Sequence, residues 1–121
     1  MYISQDKPFY NINQVAEILN ISADRLRTYD EEGLIIPFRI KKGNKRLYSQ
    51  FDIEWLQACR KFIKDKKFTI YSFKLILLLI NKMQEKQIKE FKKYNSEVIG
   101  MIFDLKNNPN FKKVVENITI T

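Results

Sequence analysis

The sequence predicts a mainly α-helical chain interrupted by one small β-hairpin. Three observations predict it. Apolar residues recur at spacings of three and four through most of the 121 residues, which is the period of amphipathic helices. Polar helix-starting residues and a well-placed glycine punctuate the first fifty positions. One stretch, Leu34–Ser49, loses the helical period and reads as two strand-like runs around a turn, "KKGN".

In chain order, residues 1–10 read as a loose lead-in containing Pro8. Asn11 or Asn13 can cap a short helix whose apolar side is Val15, Ala16, Ile18 and Leu19. Asn20 suits the turn after it. Ser22 then caps a second helix, "ADRLRTYDEEG", which Gly33 stops. Two short helices joined by a tight turn make a helix-turn-helix. "LIIPFRI" and "KRLYS" have strand character, and Pro37 confines the first to an edge or a strand end. Ser49 or Gln50 opens a third helix with Phe51, Ile53, Trp55, Leu56, Cys59, Phe62 and Ile63 on a broad apolar face. Helix resumes at Thr69 or Ser72.

From there the helical pattern continues. Ile80, Met83, Gln87, Phe91, Tyr94, Val98, Ile102 and Leu105 succeed one another at three or four residues on a segment otherwise rich in Lys and Glu. That stripe predicts a long dimerisation helix, paired with a second copy as a coiled coil. A helix packed on its own domain is the alternative, and Gln87 and Gly100 interrupt the seam. "NNPN" ends the helix, and the last residues are expected to pack back as a short helix or strand. The expected division is a head at 1–80, the dimerisation helix at 81–107 and a tail at 108–121.

Charge narrows the class of function. Twenty-two Lys and Arg against fourteen Asp and Glu give a net charge of +8, a balance that favours an anionic partner. A basic protein without such a partner has the same balance. The absence of His excludes His-based triads and Cys/His zinc sites. The single cysteine, Cys59, reads as a buried hydrophobe. No paired nucleophile and base, no phosphate-cradling glycine loop and only three glycines argue against an enzyme. No cofactor or metal is expected. "LILLLI" falls far short of the roughly 20 apolar residues of a membrane span. The N-terminus lacks the pattern of a signal peptide, so a cytoplasmic location is expected. The basic stretch "KMQEKQIKEFKK" contains Glu85 and Glu90 and reads as a solvated face rather than a membrane-binding one.

The second helix exposes Arg25, Arg27, Thr28 and Tyr29 while Leu26 points inward, which suits a helix lying in a DNA major groove. The hairpin adds Arg39, Lys41, Lys42, Lys45 and Arg46, five cations without an acid, placed to meet flanking phosphates. The competing reading has the lysines in a solvated turn and the arginines paired to Asp30, Glu31 and Glu32. The two features adjoining in this order favour double-stranded DNA as the partner.

The stretch "LRTYDEEGLIIPFRIKKGNKRLYSQFDIEWL", from Leu26 to Leu56, resembles the MerR family of bacterial transcription regulators, whose pattern contains a segment like "LRYYDEEGLL-P-R" and then "R-YS--D". "FTIYSFKLILLL" stands where that family has "GFSLEEIKELL". Arg27, Tyr29, Gly33, Leu34, Pro37, Arg39, Arg46, Tyr48, Ser49 and Asp52 fall in register, and the resemblance covers about residues 9–80. "LRTYDEEGL" is most similar to the branch of heat-shock and nitrogen-metabolism repressors.

The resemblance implies a winged helix-turn-helix head, with residues 23–32 as recognition helix and 34–48 as wing. Residues 68–80 would also touch the DNA backbone. The long helix would pair antiparallel with its copy, so that a homodimer binds an inverted-repeat promoter site where RNA polymerase also acts. Arg27 and Tyr29 would meet groove and phosphate, Arg39 and Arg46 would serve the wing, and Tyr48 would pack the wing or touch a phosphate. Thr28 stands where many members have a second Tyr, and the wing is about one residue longer than usual. The cysteine clusters of metal-sensing members are absent, and too few residues remain for a large ligand-binding domain. An architectural, excisionase-like DNA binder or a winged-helix protein-interaction module is the alternative. Those usually lack a long dimerisation helix.

Overall fold

The computed structural model describes residues 4–120; residues 1–3 and 121, the ends of the expected lead-in and tail, lie outside the described residues. Its first element is a two-residue strand, β1 (Tyr10–Asn11), which begins at the last residue of the stretch expected to be a loose lead-in. Asn11 also starts α1 (Ile12–Leu19). Its side chain accepts from the Gln14 N–H and the Gln14 side chain accepts from the Asn11 N–H, both at 2.9 Å, a reciprocal cap. Asn20 ends α1 in the left-handed region, at φ 55°. Ser22 Oγ then accepts from the Arg25 N–H at 3.1 Å and opens α2 (Ala23–Glu31).

The stop after α2 has its cause in backbone geometry. Leu34 N–H donates to the Tyr29 carbonyl and Gly33 N–H to the Asp30 carbonyl, each at 2.9 Å. This pair of reversed bonds is the Schellman closure, which needs a left-handed residue just past the helix; Gly33 supplies it at φ +78°. The accompanying apolar contact is also in place, since Tyr29 and Leu34 are both fully buried. Chain direction reverses here and delivers the wing against the helix that precedes it.

The wing is β2 (Phe38–Ile40) and β3 (Lys45–Tyr48), antiparallel, with Arg39 opposite Arg46 and Phe38 opposite Leu47. Lys42–Asn44 makes a short 3-10 turn between them, with Gly43 and Asn44 both at positive φ. β1 pairs with the other edge of β3, Tyr10 opposite Tyr48, so the expected hairpin is a three-stranded sheet in the order β1-β3-β2.

Ser49 and Asp52 form a second reciprocal cap and open α3 (Gln50–Arg60). α3 is the central strut. Ile53, Trp55, Leu56 and Cys59 are buried along it, and the Trp55 indole N–H donates to the Leu34 carbonyl at 2.6 Å. A π-helical turn, Lys61–Asp65, ends it, and Lys67 reverses the chain at φ 64°. Phe62 packs on Phe68 and Phe73 across this corner. Thr69 caps α4 (Ile70–Lys82).

The dimerisation helix expected to run unbroken through 81–107 is interrupted. Met83 is extended at ψ 139°, and the chain restarts as α5 (Glu85–Glu90), capped by Gln84 with Gln87. A 3-10 turn at Phe91–Lys93 leads to extended Asn95, which caps α6 (Ser96–Lys106); α7 (Asn110–Asn117) begins after Pro109. Here α6 and α7 fold back onto α3 and α4. The cause is that the apolar stripe finds its partners within the chain. Ile80, Ile88, Ile102, Leu105, Phe111 and Val114 join one core with Trp55 and Leu77, and Phe111 meets the Trp55 ring edge-on. Among the described residues, no helix is long and apolar enough to cross a membrane.

Candidate nucleic-acid interface

α2 and the wing meet through one carboxylate. Asp30, near the end of α2, accepts from Arg39 of β2 and, at 2.5 Å, from Nε of Arg46 in β3; both bonds converge on Oδ2. The carboxylate is largely buried and both arginines are partly so. Arg39 and Arg46 are direct cross-strand partners, an arrangement that like charges make unfavourable unless a counter-charge sits between them. Asp30 is that counter-charge. Two of the five wing cations therefore lock the wing to the helix, while Lys41, Lys42 and Lys45 stand exposed toward the tip.

On α2 the predicted contact residues divide in the same way. Arg25 is exposed, with its guanidinium 5.3 Å from the Tyr29 ring centre. Arg27 is partly exposed and pairs with Asp24 at 2.6 Å, and the Thr28 hydroxyl donates back to the Asp24 carbonyl at 3.1 Å. Leu26 is buried, as its inward orientation predicts. Tyr29 is fully buried too, and its hydroxyl accepts from Arg60 Nη1 at 3.2 Å. It supports Arg25 from beneath rather than projecting beside it. Tyr48 is likewise enclosed; its hydroxyl has no hydrogen-bond partner among the described residues, and burial pushes its pKa up to about 12. It packs the wing.

Between α2, the start of α1 and the wing lies a cleft of about 360 Å³, lined by Asn11, Ile12, Asn13, Arg27, Gly43, Asn44, Lys45 and Arg46. It brings Arg27 and Lys45 to one concave surface with only amide, backbone and apolar groups beside the cations. A larger cavity, 560 Å³ between α3 and α6, mixes Glu54, Asp104 and Lys61 and carries no such bias. We therefore place the candidate interface at the smaller cleft. No group of three or more potential metal-ligating side chains occurs among the described residues.

Three participants escaped the sequence reading. Asn13 reaches the cleft through β1 pairing, which is a contact distant in sequence. Arg60 reaches Tyr29 across 31 residues, and Lys74 reaches Glu32, at the end of α2, across 42, with a 2.8 Å bond. Only the position of Arg60 at the polar edge of α3 could have hinted at it. Of the eight residues expected at a dimer seam, Ile80, Ile102 and Leu105 are buried in the core. Met83 and Val98 are partly buried, and Gln87 is exposed with its side chain engaged in the α5 cap. Phe91 and Tyr94 are exposed, their rings 6.5 Å apart.

A family model described as "MerR HTH family regulatory protein" matches residues 10–80, which span α1 to α4 and include the whole cleft. The putative heat shock protein HspR of Streptomyces coelicolor is 32% identical over 87 residues, covering 72% of this chain and 57% of that protein. The HTH-type transcriptional regulator GlnR of Bacillus anthracis is 31% identical over 84 residues, covering 69% of this chain and 64% of that protein, and GlnR of Bacillus cereus matches to the same extent. The chain thus spans about six tenths of the length of these curated relatives.

Proposed function

Since the chain belongs to the MerR family of helix-turn-helix regulatory proteins, we propose that it is a non-catalytic, DNA-binding transcriptional regulator of the cytoplasm. α2 enters the major groove with Arg25, Arg27 and Thr28 toward base edges and phosphates. The wing lies along the flanking backbone, where Lys41, Lys42 and Lys45 supply salt-dependent affinity. Arg39 and Arg46 set the wing's angle, and Tyr29 and Tyr48 support α2 and β3 from within. Two copies occupy an inverted repeat at a promoter, within reach of RNA polymerase.

The observation that carries this reading is the Asp30 bridge. It ties the second helix to both wing strands, which supports a reading in which the exposed Arg25, Lys41, Lys42 and Lys45 meet one groove and its margins. Positioning a helix before it meets DNA lowers the entropy lost on binding. The expected seam offers Phe91 and Tyr94 to a partner. The test is selection of bound sites from a random duplex library at near-physiological salt. The expected result is an inverted repeat. Recovery of no motif, with binding that disappears as salt rises, would leave only non-specific attraction to phosphate.

A further inference from the structure

We propose that the outward face of the wing is an apolar minor-groove contact, with Phe38 as the residue that enters the groove. The inference deepens the reading of the chain as a DNA-binding regulator and rests on it. Polarity along β2 is inverted. Ile36, Phe38 and Ile40 alternate outward and are 43%, 56% and 39% exposed, whereas Pro37 is buried between them and Arg39 turns to Asp30. A sheet with one solvated face normally carries its polar residues there. β2 is also a sheet edge, paired with β3 alone among the described residues, and exposed edges are normally blunted by charge. Leu47, opposite Phe38, extends the apolar surface onto β3.

Duplex DNA is the occupant that fits. No acid stands between Gly33 and Ser49, and Lys45 shares the outward face, opposite Ile40. Apolar ground flanked by cations matches a groove in which deoxyribose lies between lines of phosphate. The surface is also continuous with the candidate interface. On the outward face a row crosses the sheet from Asn11, through Leu47, to Phe38, and Asn11 lines the cleft beside α2. Phe38 stands two strand spacings from Asn11, roughly 10 Å. With α2 in the major groove, the cleft takes the sugar-phosphate strand at its margin, and the minor groove lies beyond that strand. An apolar side chain enters most readily where the groove opens at low cost, as at pyrimidine–purine steps. Phe38 thus adds affinity that salt does not screen and a preference for deformable flanks.

The test uses the full chain and the duplex recovered by selection, in two forms whose flanks share one A·T composition. One form has repeated TA steps in its flanks and the other a continuous A-tract. A·T and T·A look alike from the minor groove, so a difference between the forms reports deformability. The parent is expected to bind the TA form several-fold more tightly. Phe38→Ala, at an exposed position, is expected to lose about tenfold in affinity for that form. It should keep the parent's salt slope and bind both forms alike. Phe38→Trp should keep both the affinity and the preference. The inference is overturned if Phe38→Ala binds as the parent does, which assigns the face to a protein partner. It is overturned too if the loss comes with a fall in slope, or if the preference for TA persists in Phe38→Ala. These outcomes leave the regulator reading intact. If selection yields no motif, the comparison is made on random duplex. A tenfold loss in Phe38→Ala at unchanged slope then keeps the contact and sinks the operator reading, and unchanged affinity sinks both.

Discussion

Arg46 donates its Nε–H to Asp30 Oδ2 at 2.5 Å, across 16 residues of chain, and so binds β3 to the recognition helix. Arg39, directly opposite Arg46 in the sheet, shares the same oxygen. One carboxylate thus offsets a like-charge cross-strand pair and fixes the angle of the wing.

Removing that carboxylate leaves two partly buried guanidinium groups facing one another. Asp30→Ala is expected to cost about 2–3 kcal/mol of stability, between the cost of an unsatisfied polar group and that of a broken buried ion pair. Urea denaturation measures it. DNA binding should separate in two: attraction to any duplex survives, because the net positive charge rises, while discrimination between cognate and random duplex falls. Unchanged stability would mean that packing of Tyr48 and Leu34, not the bridge, holds the wing.

Salt dependence belongs to the lysines. Arg46 must leave Asp30 before it can meet a phosphate, whereas Lys42 and Lys45 are exposed and form no ion pair among the described residues. Each phosphate contact contributes about 0.9 to the slope of log K against log salt. Lys42→Ala and Lys45→Ala are each expected to reduce the slope by about that amount, and their combination by about twice as much. Arg46→Ala should weaken binding while leaving the slope nearer the parent's. Titrations at four or five salt concentrations compare the four variants. A steeper loss of slope in Arg46→Ala than in the lysine variants would reverse the assignment.

Arg27 is held by Asp24, a strongly exposed partner, and an exposed pair of this kind is weak. Arg27 can therefore exchange Asp24 for a base edge or phosphate at little cost. Arg27→Ala is expected to lose about 1–3 kcal/mol of cognate affinity and to relax base choice at one position of the site. Asp24→Asn frees the guanidinium and should tighten binding by a few-fold. If Arg27→Ala discriminated between sites as the parent does, Arg25 and Thr28 would have to carry the reading of sequence.

Much of the head was legible because its signals are local. Ser22, Ser49 and Thr69 announce helix starts within three residues of the N–H groups they satisfy, and Gly33 announces the stop through its own φ. The Asp30 bridge joins residues 9 and 16 positions apart and could only be raised as a competing use of the arginines. β1 is two residues long and exists through pairing with β3, so nothing in Tyr10 and Asn11 alone marks it as a strand. Tyr29 and Tyr48 read as contacts because a phenol suits either surface or core, and burial decides. The segment after Lys82 misled for a physical reason. An apolar residue every three or four positions is required equally by a seam with another chain and by a core within this one, and the period runs on through a break. Gln84 and Asn95, each with a capping partner three residues on, are the local marks of those breaks.

Tyr48 gives a prediction with a defined pH window. Its hydroxyl is buried without a partner among the described residues, and removing a buried unsatisfied group that costs about 1–3 kcal/mol should show as a gain. Tyr48→Phe is therefore expected to raise stability at neutral pH by about 1 kcal/mol. Below pH 10 the phenol keeps its proton in folded and unfolded chains alike, so ionisation favours neither. Its pKa in the folded chain is raised to about 12, and burial, the largest cause, outweighs the opposing influence of the nearby Arg46 charge. Between about pH 10 and 12 the unfolded chain releases the proton while the folded chain retains it. Stability must fall across that interval, by up to roughly 2–3 kcal/mol. Tyr48→Phe removes this loss, so the stability gap between variant and parent should widen from pH 9 to 11.5, read from urea midpoints at each pH. A gap that stayed constant would mean that the phenol reaches solvent or a proton acceptor, and that β3 is less tightly closed over the core than its burial indicates.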